Sequence, residues 1–234
     1  MSAQKEKPSG SSDVEAGVAA LAGIPVGEYD NFLSIDPTKQ ERIITTALEL
    51  FAQQDYAQVS TNEIVKRASI SKGLLFHYFG SKAGLYLYLK HHAVALFAEA
   101  QLGMMDLSGG DVFDVMWEST EIKLKVAAQY PLAMQFYVRT FTDGSLPPEI
   151  QESIQKDLTA AYGVMDQITG NLDETLLKEG LNKDKVGKII YYVCEGISHE
   201  VIAELTPEVS NDYWQATAND LKSYFDVMRE LFYK

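Results

Sequence analysis

The stretch Ser60–Lys82 constrains the fold of this chain more than any other part of the sequence. It reads STNEIVKRASISKGLLFHYFGSK. Ser60 followed by Glu63 has the spacing of a capping box, which marks the start of a helix. Ser71 can cap a second helix, and a Gly-Ser pair can end that helix just before Lys82. The stretch therefore predicts two short helices joined by a tight turn.

The apolar residues of both helices recur at helical spacing, so each helix is predicted to bury one face. In the second helix Leu75 and Phe79 lie one turn apart and are predicted to face the core. The hydroxyl of Tyr78 and the ammonium of Lys82 can then reach the same stretch of a phosphate backbone. The residues predicted at the outer surface or its margin are Lys72, Leu74, Phe76, His77 and Tyr78.

The run Ser71–Lys82, SKGLLFHYFGSK, resembles the DNA-binding signature of the tetracycline-repressor (TetR/AcrR) family, whose members commonly show a run similar to SKGxxxHYFxSK. The resemblance extends upstream through Arg42–Tyr56 and downstream into Leu85–Leu89, and it covers about a fifth of the chain. One departure is Ser69, where the family usually has glycine in the turn. Serine costs more than glycine if the backbone at that position needs a positive φ.

The resemblance implies a helix-turn-helix whose second helix enters the major groove of double-stranded DNA. It implies that Lys72, Gly73 and Leu74 lie near base edges, with Asn62 as a possible additional reader. Ser60, Thr61, His77, Tyr78 and Lys82 are implied to hold phosphates. The full set of predicted DNA-binding residues is Ser60, Thr61, Asn62, Ser71, Lys72, Gly73, Leu74, His77, Tyr78 and Lys82.

The net charge of −13 is unevenly distributed along the chain. Residues 36–90 carry seven Lys and Arg against five Asp and Glu, whereas residues 91–234 carry eleven against twenty-three. Within Ser60–Lys82 four basic residues accompany a single acid, so the local field favours phosphate while the rest of the chain repels it. Such a chain is predicted to bind DNA weakly unless two copies bind together, with an affinity that falls steeply with salt.

The composition of the 234 residues, 46% hydrophobic and 23% charged, is that of a soluble globular protein. No stretch approaches an apolar membrane span, and the first residues lack the apolar core of a secretory signal, so a cytoplasmic protein without a membrane partner is predicted. The single cysteine, Cys194, excludes an intrachain disulfide framework. It is predicted to be a buried small hydrophobe rather than a redox sensor, because nothing basic flanks it to stabilise a thiolate.

Three domains are predicted. Residues 1–35, rich in Ser, Gly, Ala and Pro, are predicted to form a mobile extension. The extension either contains one short helix around Val14–Ala22 or uses its apolar run as a docking segment. Residues 36–82 are predicted to form the helix-turn-helix DNA-binding domain, and residues 83–234 are predicted to form a helical effector-binding and dimerisation domain.

The C-terminal domain shows helical patterning throughout and no strand-like alternation, so the predicted fold class is all-α. Proline and glycine mark the ends of its helices. The predicted helices are one that begins after Ser81 and runs to about Met104, and then Val112–Gln129, Leu132–Phe141, about Glu149–Lys178, Val186–Leu205 and Trp214–Leu231.

The last two predicted helices carry strong apolar stripes. In one interpretation these stripes belong to an ordinary intrachain core. The family resemblance implies a second interpretation, in which the two helices pair with their twins in the four-helix interface of a homodimer. The sequence leaves both interpretations open.

No catalytic or metal-binding constellation is visible, so neither an enzyme nor a cofactor is predicted. A ligand-responsive regulator nonetheless needs an apolar cavity with a few polar anchors. The predicted pocket residues are Trp117, Phe136, Tyr162 and Tyr191 as walls, with Glu195 or His199 as an anchor. Glu195 and His199 lie one helical turn apart, and an interhelical polar contact explains them more simply than a metal site does.

The resemblance therefore implies a homodimeric, ligand-responsive transcriptional regulator, a repressor that binds a palindromic operator and is released or altered by a small-molecule effector of unknown identity. The alternative is a protein-interaction module that has kept the helix-turn-helix fold without specific DNA binding. In that case the acidic C-terminal domain and the N-terminal extension would serve a protein partner.

Overall fold

The computed structural model describes residues 29–104, 111–206, 208 and 210–234. Within these ranges the backbone is helical apart from loops, turns and an isolated antiparallel bridge between Leu177 and Tyr233, which confirms the all-α class. None of the helices in these ranges is both long and apolar enough to cross a membrane. The helices are α1 Asp30–Leu33, α2 Pro37–Gln53, α3 Thr61–Arg67, α4 Lys72–Phe79, α5 Lys82–Met104, α6 Val112–Gln129, α7 Pro131–Thr142, α8 Pro148–Gly170, a 3₁₀ turn Glu174–Leu176, α9 Lys183–Glu204 and α10 Asn211–Phe232.

Most helix ends agree with the sequence signals. Helix α6 is confirmed to the residue, because Asp111 accepts a hydrogen bond from the N–H of Phe113 at its start and Pro131 begins the next helix after its end. Helix α2 begins at Pro37, where the missing N–H of proline costs no intrahelical bond.

Helix α8 is shorter than the predicted Glu149–Lys178, because it ends at Gly170. Just beyond this glycine the side chain of Leu172 is buried in the core, with 1% of its surface exposed. The carboxylate of Asp173 then accepts a hydrogen bond from the N–H of Thr175 and starts the 3₁₀ turn. A local cap and a buried leucine thus outweigh the helical pattern that continues to residue 178.

The first hydrophobic core joins the N-terminal helices to part of the C-terminal domain. Its buried side chains come from α1 to α4, the first half of α5, α7 and the start of α8. The ring centroid of Phe51 in α2 lies 5.0 Å from that of Tyr86 in α5 and 6.4 Å from that of Phe136 in α7. Helices α5 and α7 therefore complete the core beneath the helix-turn-helix.

The second hydrophobic core holds the far end of the molecule together. It is formed by the second half of α5, α6, the end of α8, α9 and α10. Cys194 of α9 is buried in it, and this burial raises the pKa of the thiol to about 12. The prediction that Cys194 is a buried small hydrophobe is confirmed.

Polar contacts tie the end of α2 to α7. The guanidinium of Arg139 donates to the carbonyl of Ala52 at 3.1 Å and to the carboxylate of Asp55 at 2.9 Å. The carboxylate of Asp143 accepts a hydrogen bond from the backbone N–H of Tyr56 at 2.5 Å. These contacts fix the position of α2, and with it the helix-turn-helix that packs on α2.

The described part of the N-terminal region is folded. Tyr29 and Phe32 have only 2% and 0% of their surface exposed, and both belong to the first core. These two aromatic side chains, which precede the predicted domain boundary at residue 35, pack against α4 and α5. The helix predicted around Val14–Ala22 and the apolar run that contains it lie outside the described residues.

Candidate nucleic-acid interface

Serine side chains cap both helices of the helix-turn-helix, α3 and α4. The Oγ atom of Ser60 accepts a hydrogen bond from the N–H of Asn62 at 3.3 Å. The Oγ atom of Ser71 accepts one from the N–H of Leu74 at 3.2 Å. The caps are therefore confirmed, although Ser60 bonds to Asn62 rather than to the N–H of Glu63 that a capping box uses.

Ser69 adopts the left-handed backbone conformation in the turn between α3 and α4. Its φ angle is 52°, and no other non-glycine residue in the described ranges has a positive φ. The N–H of Ile70 donates to the carbonyl of Val65 at 3.0 Å, which closes the end of α3. A residue without a Cβ would adopt this conformation at little cost, whereas the Cβ of Ser69 makes it less favourable.

The inner face of α4 agrees with the sequence only in part. Leu75 and Phe79 are buried, as predicted. Tyr78 is also buried, with 7% of its surface exposed, and its ring centroid lies 5.6 Å from that of Phe32. The prediction of an outward Tyr78 ring is wrong, because α1 covers this side of α4 and the sequence pattern gave no sign of that contact.

The hydroxyl of Tyr78 accepts a hydrogen bond from the ammonium of Lys39, which lies 3.3 Å away on α2. Sequence reasoning missed Lys39, since nothing in the pattern of α2 marks this lysine as a neighbour of α4. The positive charge beside the Tyr78 hydroxyl therefore comes from Lys39, whereas the sequence predicted Lys82 as the cation near this phenol.

The outer face of α4 combines a cation, apolar surface and an open backbone position. Leu74 and Phe76 each expose 36% of their surface, and the ammonium of Lys72 lies 5.9 Å from the ring centroid of Phe76. A Cβ atom added at Gly73 would meet nothing closer than the Oγ of Ser71 at 3.9 Å, so packing within the protein does not demand glycine there. This face can offer hydrogen-bond donors to bases and apolar contact to thymine methyl groups.

Lys82 engages partners other than those of Tyr78. Its ammonium donates to the backbone carbonyl of Tyr56 and lies 4.3 Å from the ring centroid of that residue. Burial lowers the pKa of Lys82, and the carboxylate of Asp143 opposes this shift. An ammonium has three N–H donors, so two remain for a phosphate.

The connection from α4 to α5 is exceptionally close. A Cβ atom added at Gly84 would lie 1.9 Å from the carbonyl oxygen of Phe79, so only glycine fits at this position without a shift of the backbone. The Oγ of Ser81 accepts a hydrogen bond from the N–H of Gly84 at 2.9 Å and caps α5. This junction fixes the angle at which α4 leaves the long helix α5.

The predicted pocket residues fall into separate places. Phe136 is fully buried in the first core, and Trp117 lies on α6 beneath the ammonium of Lys222, 4.7 Å from its ring centroid. Neither joins the remaining four, which lie on the neighbouring helices α8 and α9.

Those four residues form a partly exposed cluster. The hydroxyl of Tyr162 lies 3.5 Å from the Nε2 atom of His199, which fits the predicted polar contact between helices. Partial burial and the nearby carboxylate of Glu195 raise the pKa of both Tyr162 and Tyr191. The structure therefore brings together Tyr162, Tyr191, Glu195 and His199.

A buried ion pair that the sequence did not reveal links α5 to α8. The ammonium of Lys90, 1% exposed, lies 2.5 Å from the carboxylate of Asp157 and 2.6 Å from the Oγ of Ser153. Burial lowers the pKa of Lys90, and the hydrogen bond to Asp157 opposes this shift. A cavity of about 30 Å³ adjoins the pair, with Tyr137 and Phe141 in its wall, and this volume suits a water molecule rather than an effector.

The model of the family described as "Bacterial regulatory proteins, tetR family" matches residues 43–89. The uncharacterized HTH-type transcriptional regulator YuxN of Bacillus subtilis is 51% identical over 49 residues, which are 21% of this chain and only 17% of YuxN. The HTH-type transcriptional regulator QacR of Staphylococcus aureus is 24% identical over 188 residues, which are 78% of this chain and 97% of QacR.

Solved structures share the architecture over most of the chain. A TetR family transcriptional regulator from Chloroflexus aurantiacus superposes with a TM-score of 0.59 at 21% identity, covering 88% of this chain and 98% of that protein. NalD of Pseudomonas aeruginosa, the secondary repressor of the MexAB-OprM multidrug efflux pump, superposes with a TM-score of 0.61 at 14% identity, covering 85% and 99%. At these identities the structural similarity concerns the fold.

The match of residues 43–89 falls on α2 to α5, the capped helix-turn-helix and the helices that form its core. The relatives and the solved structures extend the similarity over the helices that follow. Residues 43–89 thus carry the helix-turn-helix of the tetR family of bacterial regulatory proteins, and the chain shares the fold of the TetR family regulator from Chloroflexus aurantiacus.

Proposed function

We propose that the protein is a ligand-responsive repressor that binds a palindromic operator as a homodimer and is released or altered by a small-molecule effector. The observation that carries this proposal is the outer face of α4. It presents Lys72, Leu74, Phe76 and His77 on a helix whose start, turn and inner side are all fixed by the protein. A surface with exposed cationic and apolar groups on a rigid helix suits the major groove.

The proposed contacts follow from the positions of the side chains. Lys72, Gly73 and Leu74 lie near base edges, and Asn62 at the start of α3 is an additional reader. The hydroxyl group of Ser60, the cap of α3, and the side chains named below hold phosphates. The proposed phosphate-binding residues are Ser60, Thr61, His77, Tyr78 and Lys82, and Ser71 belongs to the proposed DNA-binding set as the cap of α4.

The proposed dimer interface is supported by apolar surface on the last two helices. Val227 and Leu231 of α10 expose 56% and 61% of their surface, and Tyr192 of α9 exposes 62%. Other apolar residues of the same helices serve the core of their own chain, since Phe225 and Met228 are buried in the second core. One side of these helices therefore fills the core of the chain, and the other side is available to a second copy.

The dimer proposal is tested by a charge placed on the exposed side. Val227→Glu is expected to give a monomer in analytical ultracentrifugation, because a carboxylate would be buried against the partner. Asn219→Glu is the matched control, since Asn219 is exposed on the same helix away from the apolar residues. A Val227→Glu protein that remains dimeric would exclude this interface.

The proposed effector site is the cluster of Tyr162, Tyr191, Glu195 and His199. Its aromatic rings and single carboxylate offer apolar walls and a polar anchor. An effector bound there contacts α8, which the ion pair between Lys90 and Asp157 joins to α5, the helix that carries the DNA-binding unit. The effector can change DNA binding only through different affinities for the competent and incompetent states.

A salt series tests the DNA contacts. Lys82→Ala is expected to weaken binding to every DNA sequence alike and to reduce the slope of log affinity against log salt by about 1, because one phosphate contact is lost. Lys72→Ala is expected also to relax the base preference. Lys188→Ala, an exposed lysine on α9, should change neither quantity. If Lys82→Ala keeps the affinity of the wild-type protein across the series, the phosphate assignment fails.

A further inference from the structure

The recognition helix α4 depends on the rest of the protein for its position. It has only eight residues, and isolated helices of this length are unstable in water. Its buried face consists of Leu75, Tyr78 and Phe79, so the side chains that cover these three residues decide whether α4 keeps one orientation.

Phe32 of α1 supplies much of this cover. It is fully buried, and its ring centroid lies 4.7 Å from that of Phe79, 5.6 Å from that of Tyr78 and 5.0 Å from that of Tyr88 in α5. The ring of Phe32 therefore fills the space between α4 and α5. Burial raises the pKa of the Tyr88 hydroxyl to about 12.

Tyr29 extends the same contact. Its ring centroid lies 5.0 Å from that of Tyr88 and 6.2 Å from that of Phe79, and its hydroxyl donates to the carbonyl of Gly84 at 3.5 Å. Gly84 is the residue of α5 at which a Cβ would meet the carbonyl oxygen of Phe79, the last residue of α4. Both aromatic rings thus contact Phe79 of α4 and Tyr88 of α5, next to the junction between these helices.

The segment that carries the two aromatics is held in place by α2. The side-chain amide of Gln40 donates to the carbonyl of Leu33 at 3.0 Å and to that of Ile35 at 2.9 Å. The hydrogen bonds from Gln40 therefore fix the C-terminal end of the segment that carries Tyr29 and Phe32. This segment also lies before residue 43, where the match to the family model begins.

We propose that the segment Tyr29–Leu33 is a positioning element of the recognition helix: Phe32 and Tyr29 set the orientation of α4 for DNA without contacting DNA themselves. Loss of the Phe32 ring would leave Tyr78 and Phe79 without their cover and allow α4 to open locally. The DNA complex would then have to order α4 at the moment of binding, which lowers affinity without removing any contact.

Amide hydrogen exchange of the full-length protein tests this proposal without DNA. Phe32→Ala is expected to raise the exchange rates of α4 amides by at least about tenfold, because removal of a buried aromatic ring leaves a cavity beneath α4. Amides of α9 and α10, which pack in the second core, should exchange as in the wild-type protein. Leu33→Ala is the matched control, because the neighbouring Leu33 exposes 47% of its surface.

A milder variant covers the case in which Phe32→Ala does not fold. Phe32→Leu keeps an apolar side chain but loses the ring contacts, and it should raise α4 exchange in the same direction by a smaller factor. Exchange of α4 that equals wild type in the folded Phe32 variants would overturn the proposal. An equal rise in α4, α9 and α10 would also overturn it, since Phe32 would then serve global stability alone.

The DNA measurement rests on the proposed function. With a DNA sequence selected by the wild-type protein, Phe32→Ala or Phe32→Leu should weaken binding by about tenfold or less while the slope of log affinity against log salt stays unchanged. A changed slope would mean that the segment contributes phosphate contacts, which contradicts the proposal. If the wild-type protein selects no DNA, the proposed function fails, while the exchange result still decides the role of Phe32.

Discussion

Replacement of Ser69 by glycine should stabilise the protein. Ser69 lies in the left-handed region, with φ at 52°, where the Cβ of an L-residue costs about 1–2 kcal/mol. Glycine removes this cost but loses about 0.5–1 kcal/mol through the greater freedom of the unfolded chain. The net gain is about 0.5–1 kcal/mol, which corresponds to a rise in Tm of about 1–4 °C for a chain of this size.

Urea unfolding followed by the circular dichroism of the helices measures this gain. Ser69→Ala should be close to wild type, because it keeps the Cβ and removes only an exposed hydroxyl. Ser223→Gly makes the same chemical change as Ser69→Gly within the right-handed helix α10 and should destabilise by about 0.5–1 kcal/mol. The two glycine variants are thus expected to shift the unfolding midpoint in opposite directions.

A loss of stability in Ser69→Gly comparable to that in Ser223→Gly would refute the reasoning. It would mean that the turn between α3 and α4 doesn't need a left-handed residue in solution. The orientation of α4 would then have to be fixed by its packing alone.

Three further predictions follow from buried polar groups. Asp157→Ala should destabilise the protein by about 3–5 kcal/mol in urea unfolding, and more than Lys90→Met, because it leaves the buried ammonium of Lys90 without an opposite charge whereas the carboxylate is partly exposed. Cys194 should resist a thiol reagent at about pH 8 until the chain unfolds, since burial raises its pKa to about 12. Burial raises the pKa of Tyr88 from 10.0 to about 12, so its stabilising contribution is complete below pH 10 and is lost as pH rises towards 12. In urea unfolding, Tyr88→Phe should lose less of its free energy of unfolding between about pH 10 and pH 12 than the wild-type protein.

Each of these predictions has a contrary outcome. Greater destabilisation by Lys90→Met than by Asp157→Ala would show that the carboxylate, not the ammonium, carries the burial cost. Rapid labelling of Cys194 in the native protein would restore the redox-sensor interpretation. An equal loss of stability with and without the Tyr88 hydroxyl at high pH would assign that loss to other groups.

The helices were largely predictable because their ends depend on neighbouring residues. Ser60 and Ser71 cap the helices that follow them, and Pro37 and Pro131 begin theirs. The end of α8 was missed, because the burial of Leu172 depends on distant partners rather than on the local pattern.

The residues on the outer face of α4 were predictable from the sequence, whereas those on its inner face were predicted only in part. The helical period placed Leu74 and Phe76 outside, where the structure has them. Tyr78 was placed on the same side because α1 was taken for part of a mobile extension, so Phe32 wasn't considered as its cover. Pairs such as Lys90 with Asp157 are 67 positions apart and leave no periodic signal in one sequence.

DNA selection from a random pool, followed by footprinting of the enriched sequence, tests the central claim most directly. The account predicts an enriched sequence with two-fold symmetry, two protected half-sites separated by whole helical turns, and loss of base preference in Lys72→Ala. Enrichment of no symmetric sequence by the dimeric wild-type protein would contradict the account and favour a protein-interaction module that has kept the helix-turn-helix fold.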